Sequence, residues 1–198
     1  HMACQSLNSG ESNIALAGGV NLTLSSLTNI TLSRAQMLSP DGRCKTFDKS
    51  ANGYVRSEGC GVVLLKRLKD AVADNDNILA VVRGSAINQD GRSQGLTAPN
   101  GPAQETVIKT ALERANVSAA DIDYVEAHGT GTALSDPIEM RSINAVYGKV
   151  KKRHSPLAVG SVKTNLGHTE VAAGAAGLIK ISLSMQNGFI PPRLHLKE

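Results

Sequence analysis

The chain has 198 residues, the size of one domain or of one piece of a larger domain. Its composition, 41% hydrophobic and 19% charged, suffices for a core, and no run of about 18 apolar residues is present to cross a bilayer. The net charge of +4 is spread along the chain apart from a cluster at Lys149, Lys151, Lys152 and Arg153, and aromatics are 3% with no Trp, so neither a nucleic-acid surface nor an aromatic sugar platform is expected.

His1-Met2 reads as an expression-vector remnant rather than the natural start, and no basic stretch followed by an apolar run marks a secretory signal. Cys4, Cys44 and Cys60 show no C-x-x-C spacing, which argues against a disulfide framework and a zinc knuckle and fits a reducing, cytoplasmic setting. Ala3 to Leu7 reads as the tail of a helix stopped at Gly10, and Ile14 to Val20 as a buried strand. A helix is expected within 25–37, and 38–59, rich in turn residues, as a long ordered loop of the functional or interfacial kind.

From Gly59 the pattern alternates. A strand over 60–66, a short helix near 67–74 and a strand over 78–87 are followed by a helix over 102–116 that opens with Gly101-Pro102. Ser118 to Asp121 resembles a capping box. Strand 123–127 leads through His128 and Gly-Thr-Gly-Thr into a helix beginning at Asp136-Pro137. Strand 157–162 leads through Lys163 to His168 into a helix over 170–187, whose alanines and leucines leave almost no polar face and predict burial on most sides. The expectation is α/β, with mostly parallel strands and helices on both sheet faces.

His128 and His168 each follow a strand and precede a helix, where α/β sheets place ligands. His1, His154 and His195 lack that context. Glu126, Asp136, Glu139 and Glu170 lie near the two histidines, yet no H-E-x-x-H or comparable metal motif is formed. Gly129-Thr-Gly-Thr132 begins like a phosphate cradle but completes neither G-x-G-x-x-G nor a Walker loop, so a nucleotide-binding domain is disfavoured. The positive end of the following helix disfavours an imidazolium at His168, and Lys163 reinforces that, so a neutral imidazole donating one N–H is expected. Two such donors converging on one oxygen suit a reaction through an enolate, and Thr130 and Thr132 suit hydrogen bonds to an amide-bearing substrate arm.

Val125-Glu-Ala-His-Gly-Thr-Gly-Thr132, Asp136-Pro-Ile-Glu139 and Gly160-Ser-Val-Lys-Thr-Asn-Leu-Gly-His-Thr169 followed by Ala172-Ala-Gly resemble the histidine motifs of β-ketoacyl synthase (ketosynthase) domains, most closely those of modular type I polyketide synthases. Ala3-Cys-Gln-Ser-Leu7, Ala17-Gly-Gly-Val-Asn21, Phe47-Asp48 with Gly53-Tyr54, Glu58-Gly59 and Asn88-Gln-Asp-Gly91 resemble further family segments in order. The resemblance implies a thiolase-like fold of two similar layered α/β halves, a mixed sheet with helices on both faces. Residues 3–58 would be the end of the N-terminal half and 59–198 the C-terminal half, truncated before its last segment. It also implies decarboxylative condensation of an acyl thioester with a malonyl-type unit on an acyl carrier protein, no tightly bound cofactor, substrate carried on phosphopantetheine, and a homodimeric parent without nucleic-acid or membrane partners. His128 and His168 would serve decarboxylation and oxyanion binding, Lys163 would order the second histidine, and Thr130 and Thr132 would contact phosphopantetheine. No metal is implied.

The family's nucleophile lies in a Thr-Ala-Cys-Ser-Ser-Ser type segment that this sequence does not contain, and Cys4 would fall on the later part of the same helix. Cys44 and Cys60 also lack a thiolate-forming context. A fragment inactive by itself is therefore expected. The alternative is a non-catalytic scaffold, like the chain-length partners that keep the fold and lose the cysteine.

Overall fold

In the computed structural model, which describes residues 1–93, 95, 98–150, 153 and 155–198, helix α1 (Met2–Ser9) ends at Gly10, whose N–H donates to the Leu7 carbonyl. Strand β1 (Ile14–Asn21) pairs antiparallel with β2 (Gly59–Lys66), from Ile14 opposite Lys66 to Asn21 opposite Gly59. Helix α2 (Leu27–Arg34) lies in the connection, and α3 (Leu68–Ala73) follows β2. Arg67, between β2 and α3, donates to the carbonyls of Leu7 and Ser12 and so ties the end of α1 to the sheet. The expected long loop is present, and it is laced by two isolated bridges, Leu38 to Tyr54 and Arg56 to His168.

The second half opens with α4 (Gly101–Ala115), where the Asn100 side chain accepts from the Ala103 N–H and Pro102 sits in the first turn. At Ser118 the hydroxyl accepts from the Ala120 N–H, starting a single 3₁₀ turn over Ala119–Asp121 rather than a capping box. Strands β3 (Tyr124–Glu126) and β4 (Ala158–Gly160) pair in parallel, connected through α5 (Ser135–Tyr147). Ala127, Ile143 and Tyr147 form the core there, with Ile108, Leu112, Val125 and Val159 packed against them. After β4 come the short helix α6 (Lys163–Leu166), a 3₁₀ turn over Glu170–Ala172 and α7 (Ala173–Asn187).

Four further expectations need correction. The strands form two separate two-stranded sheets among the described residues, one antiparallel, rather than one mostly parallel sheet. The segment 78–87 is irregular, with Ile78, Val81 and Val82 at least 40% exposed, because no described strand runs beside it to complete a ladder. β1 is half-buried on one face only, leaving Ile14, Leu16 and Val20 more than half exposed, since α7 and the turn before it cover the other face. Helix α7 buries only Gly177 fully; Leu183 and Met185 are exposed because its described neighbours lie on one side. His154, Lys151 and Lys152 lie outside the described residues. No described helix is long and apolar enough to cross a membrane.

One buried ion pair joins α7 to β3. Lys180 Nζ lies 2.8 Å from Glu126 Oε2, the side chains being 10% and 8% exposed, and the Tyr124 hydroxyl shares the same carboxylate oxygen. Glu126 Oε1 accepts from the Val162 N–H, so the carboxylate also holds the entry to α6. Burial, followed by the hydrogen bond and charge of Glu126, raises the Tyr124 pKa, which keeps its hydroxyl a donor. Removing one member leaves a buried charge without its partner, so Lys180→Met is expected to cost about 3 kcal/mol in urea unfolding, and Lys180→Met with Glu126→Gln less than that.

Candidate active site

Parallel pairing of β3 and β4 brings the segments leaving both strands to the same end of the sheet. His128 leaves β3, and His168 follows α6. Their rings meet edge to face, with centroids 5.4 Å apart and planes at 86°. Tyr54, from the long loop, packs against the His168 ring, also at 5.4 Å. The two histidines singled out in the sequence are thus brought together.

The loop 128–132 is held by carboxylates from the start of α5. Glu139 accepts from the N–H groups of His128 at 2.6 Å and Gly129 at 2.8 Å. Asp136, 3% exposed, accepts from Gly131 at 3.1 Å and Thr132 at 3.2 Å with one oxygen, and from Phe47 at 2.8 Å with the other. Acidic groups there also face the positive end of the helix. The Gly129 carbonyl accepts from Thr46 Oγ1 at 2.5 Å and Ser161 Oγ at 3.2 Å. Gly129 and Gly131 have φ of 44° and 83°, and a Cβ at either would lie within 3 Å of neighbouring atoms, of Thr46 and Ser161 or of Lys45. Glycine here is therefore demanded by both backbone and space.

His168 is fixed along its backbone by the long loop: its N–H donates to the Val55 carbonyl at 2.7 Å, and its own carbonyl accepts from the Ser57 N–H at 3.0 Å. Its Nδ1 accepts from the Glu170 N–H at 3.0 Å, which places the ring proton on Nε2. The sequence points to a helix dipole as the reason for a neutral donor here. The structure supplies a nearer cause, a single N–H from a 3₁₀ turn.

Burial, then the charge of Lys163, lowers the His168 pKa to about 4. The same two causes in the same order, with His168 third, lower that of His128 to about 4, although part of His128 is open to solvent. Lys163 is 5% exposed, and burial lowers its own pKa against the opposing pull of Glu139 and Glu126. Thr130 is buried, its hydroxyl 3.4 Å from that of Thr132, which keeps some exposed surface. Cys44 is buried and accepts from the Val55 N–H, and burial raises its thiol pKa; Cys4 lies on α1 and Cys60 is exposed on β2. Asn165 is exposed beside Thr164, with no role assigned by its contacts.

The site contains residues that sequence reasoning does not assign to it. Asp136 and Glu139 stand in the sequence as acidic neighbours of the histidines, of the kind that could ligate a metal, yet they accept N–H bonds; two carboxylates at a helix start, directly after a glycine-rich loop, are the available signal. Thr46, Tyr54 and Arg56 give no such signal, because their partners lie about a hundred residues away.

The chain belongs to the β-ketoacyl synthase family. The model of the family's N-terminal domain matches residues 1–71 and that of its C-terminal domain residues 79–197. Among curated relatives, one polypeptide of the phenolphthiocerol/phthiocerol polyketide synthase of Mycobacterium tuberculosis is 59% identical over 198 residues, which is all of this chain and 9% of that protein. Another polypeptide of the same synthase is 54% identical over 197 residues, 10% of its length. The ketosynthase from module 6 of the Bacillus subtilis bacillaene synthase superposes with a TM-score of 0.96 at 44% identity, covering all of this chain and 35% of that one. An oxazolomycin ketosynthase domain from Streptomyces albus gives 0.96 at 42% identity and 34% coverage. The fold is thus thiolase-like α/β, and the chain corresponds to about a third of the solved ketosynthases.

Two outcomes follow from this geometry. Glu139→Ala removes the acceptor of two N–H groups and is expected to destabilise the chain by about 3 kcal/mol in urea unfolding. Because both histidines stay neutral when folded, the unfolded chain binds protons below its ordinary pKa of 6.5 that the folded chain refuses. Stability should therefore be level in this respect above pH 6.5 and fall as the pH drops toward about 4, with both imidazoles titrating near 4 by NMR.

Proposed function

We propose that this chain supplies the histidine side of a cytoplasmic polyketide synthase ketosynthase, which joins an acyl thioester to a malonyl-type unit on an acyl carrier protein with loss of carbon dioxide. The observation that carries this reading is the pair of neutral imidazoles meeting at 5.4 Å beside a buried lysine. When the bond between the malonyl carboxylate and its α-carbon breaks, its electron pair enters the enolate and negative charge develops on the thioester oxygen. His128 and the Nε2–H of His168 donate to that oxygen, and donors already in place need no reorganisation as the charge appears.

The enolate carbon then attacks an acyl thioester carbonyl, and the thiolate leaves. The cysteine that carries the acyl group is not in this sequence, so the 198-residue chain alone turns over nothing. Burial, reinforced by the charge of Lys163, holds both rings in their neutral form, as the pKa directions support. Thr132, with Thr130 behind it, hydrogen-bonds the phosphopantetheine arm.

The test grafts residues 1–198 in place of the matching third of the bacillaene module 6 ketosynthase and measures carbon dioxide release from malonyl-acyl carrier protein. His128→Ala and His168→Ala should each abolish release, and His154→Ala should leave it unchanged. Equal loss from all three, or an active graft indifferent to both site histidines, would overturn the assignment in favour of a scaffold.

A further inference from the structure

The contacts around Glu170 are more specific than packing requires. Glu170 has φ of 47°, in the left-handed region that a residue with a Cβ rarely adopts. That conformation aims its N–H at Nδ1 of His168, 3.0 Å away. Its carboxylate is gripped at two points by Arg56, Nε to Oε1 at 2.7 Å and Nη2 to Oε2 at 3.1 Å. The guanidinium, 9% exposed, is braced from α2 by Asn29 Oδ1 at 2.7 Å.

These contacts close a ring. Arg56 lies in the loop segment whose Val55 and Ser57 bond the backbone of His168, so the same three residues hold His168 from one side and Glu170 from the other. Guanidinium and carboxylate pair side-on through two parallel bonds of fixed geometry, and a lysine could not reproduce it.

We infer that Arg56 and Glu170 are positioning residues whose ion pair holds Glu170 in a left-handed backbone conformation, so that its N–H binds Nδ1 of His168 and reserves the Nε2–H as the donor. This rests on the reading of His168 as an oxyanion donor. The ring's other charged or titratable neighbours, His128, Tyr54 and Lys163, provide no bond to Nδ1 among the described residues. The tautomer therefore depends on the turn at 170.

The test reads the tautomer directly, by long-range proton–nitrogen correlation in the ¹⁵N-histidine-labelled 198-residue chain. The parent chain should show His168 protonated on Nε2. Glu170→Ala and Arg56→Lys should give a mixture of tautomers, whereas Glu170→Gly should keep the Nε2–H form, because glycine adopts this φ without the ion pair. Glu170→Gly should also rescue Arg56→Lys. An Nδ1–H tautomer in the parent, or an unchanged tautomer in both Glu170→Ala and Arg56→Lys, would overturn the inference. So would failure of Glu170→Gly to fold, which would assign the pair to stability alone.

Should Glu170→Ala itself fail to fold, Glu170→Gln and Arg56→Lys carry the comparison. In the grafted ketosynthase, Glu170→Ala is expected to lower kcat for decarboxylation roughly a hundredfold with KM little changed, and Glu170→Gly to restore it. The expected tautomers without the expected loss of decarboxylation would refute the functional reading and leave the positioning role standing.

Discussion

The site depends on two carboxylates, one buried and one half-buried, that accept backbone N–H groups. Asp136 and Glu139 stand at the start of α5 and between them take five such donors, four from the loop 128–132 and one from Phe47. A loop with two left-handed glycines has no ladder of its own to satisfy its N–H groups, and buried donors without partners are costly. The helix thus supplies charge where the loop lacks acceptors. The position of the His128 ring follows from that supply, because its own N–H is one of the five.

The second histidine is held by different means toward the same electrostatic state. Its backbone is paired like a short strand with 55–57, and its ring receives an N–H. Burial, and after it the charge of a buried lysine felt at both rings, discourages a positive charge at either imidazole. Lys163 is itself offset by Glu139 and Glu126, so the carboxylates that shape the backbone also make its burial tolerable. Geometry and protonation state are therefore set by one group of side chains.

Much of this is legible in the residues. Strand, histidine, glycine-rich turn and helix follow directly in the segment 123–139, and the structure has them in that order. Helix α7 and the segment 78–87 depart from expectation for one shared reason: an apolar pattern reports a surface suited to burial, and whether a neighbour lies against it is a tertiary fact. The acidic residues of the motif are visible in the sequence, but their role is not. Carboxylates that accept N–H bonds and carboxylates that bind metal share the same spacing until the backbone is seen. The contribution of Thr46 and Arg56 has no local trace, and Tyr54 shows only as part of a family-like segment without a role, since each acts on a residue that only the fold brings near.

That separation bears on the order in which the molecule can be built. Thr46 meets Gly129 across 83 positions, and Arg56 meets Glu170 across 114. The loop 38–58 bonds within itself, Ser39 to Asp41 and Tyr54, and Val55 to Cys44, but its contacts with the histidine site arise only after the chain has been synthesised past residues 129 and 170. Loop closure over such distances is paid for before any of these bonds form, which makes them late events in folding. During synthesis the first half would therefore emerge with its loop closed on itself but not on the histidine site, which would assemble in the last stage, together with the parallel pair that carries it.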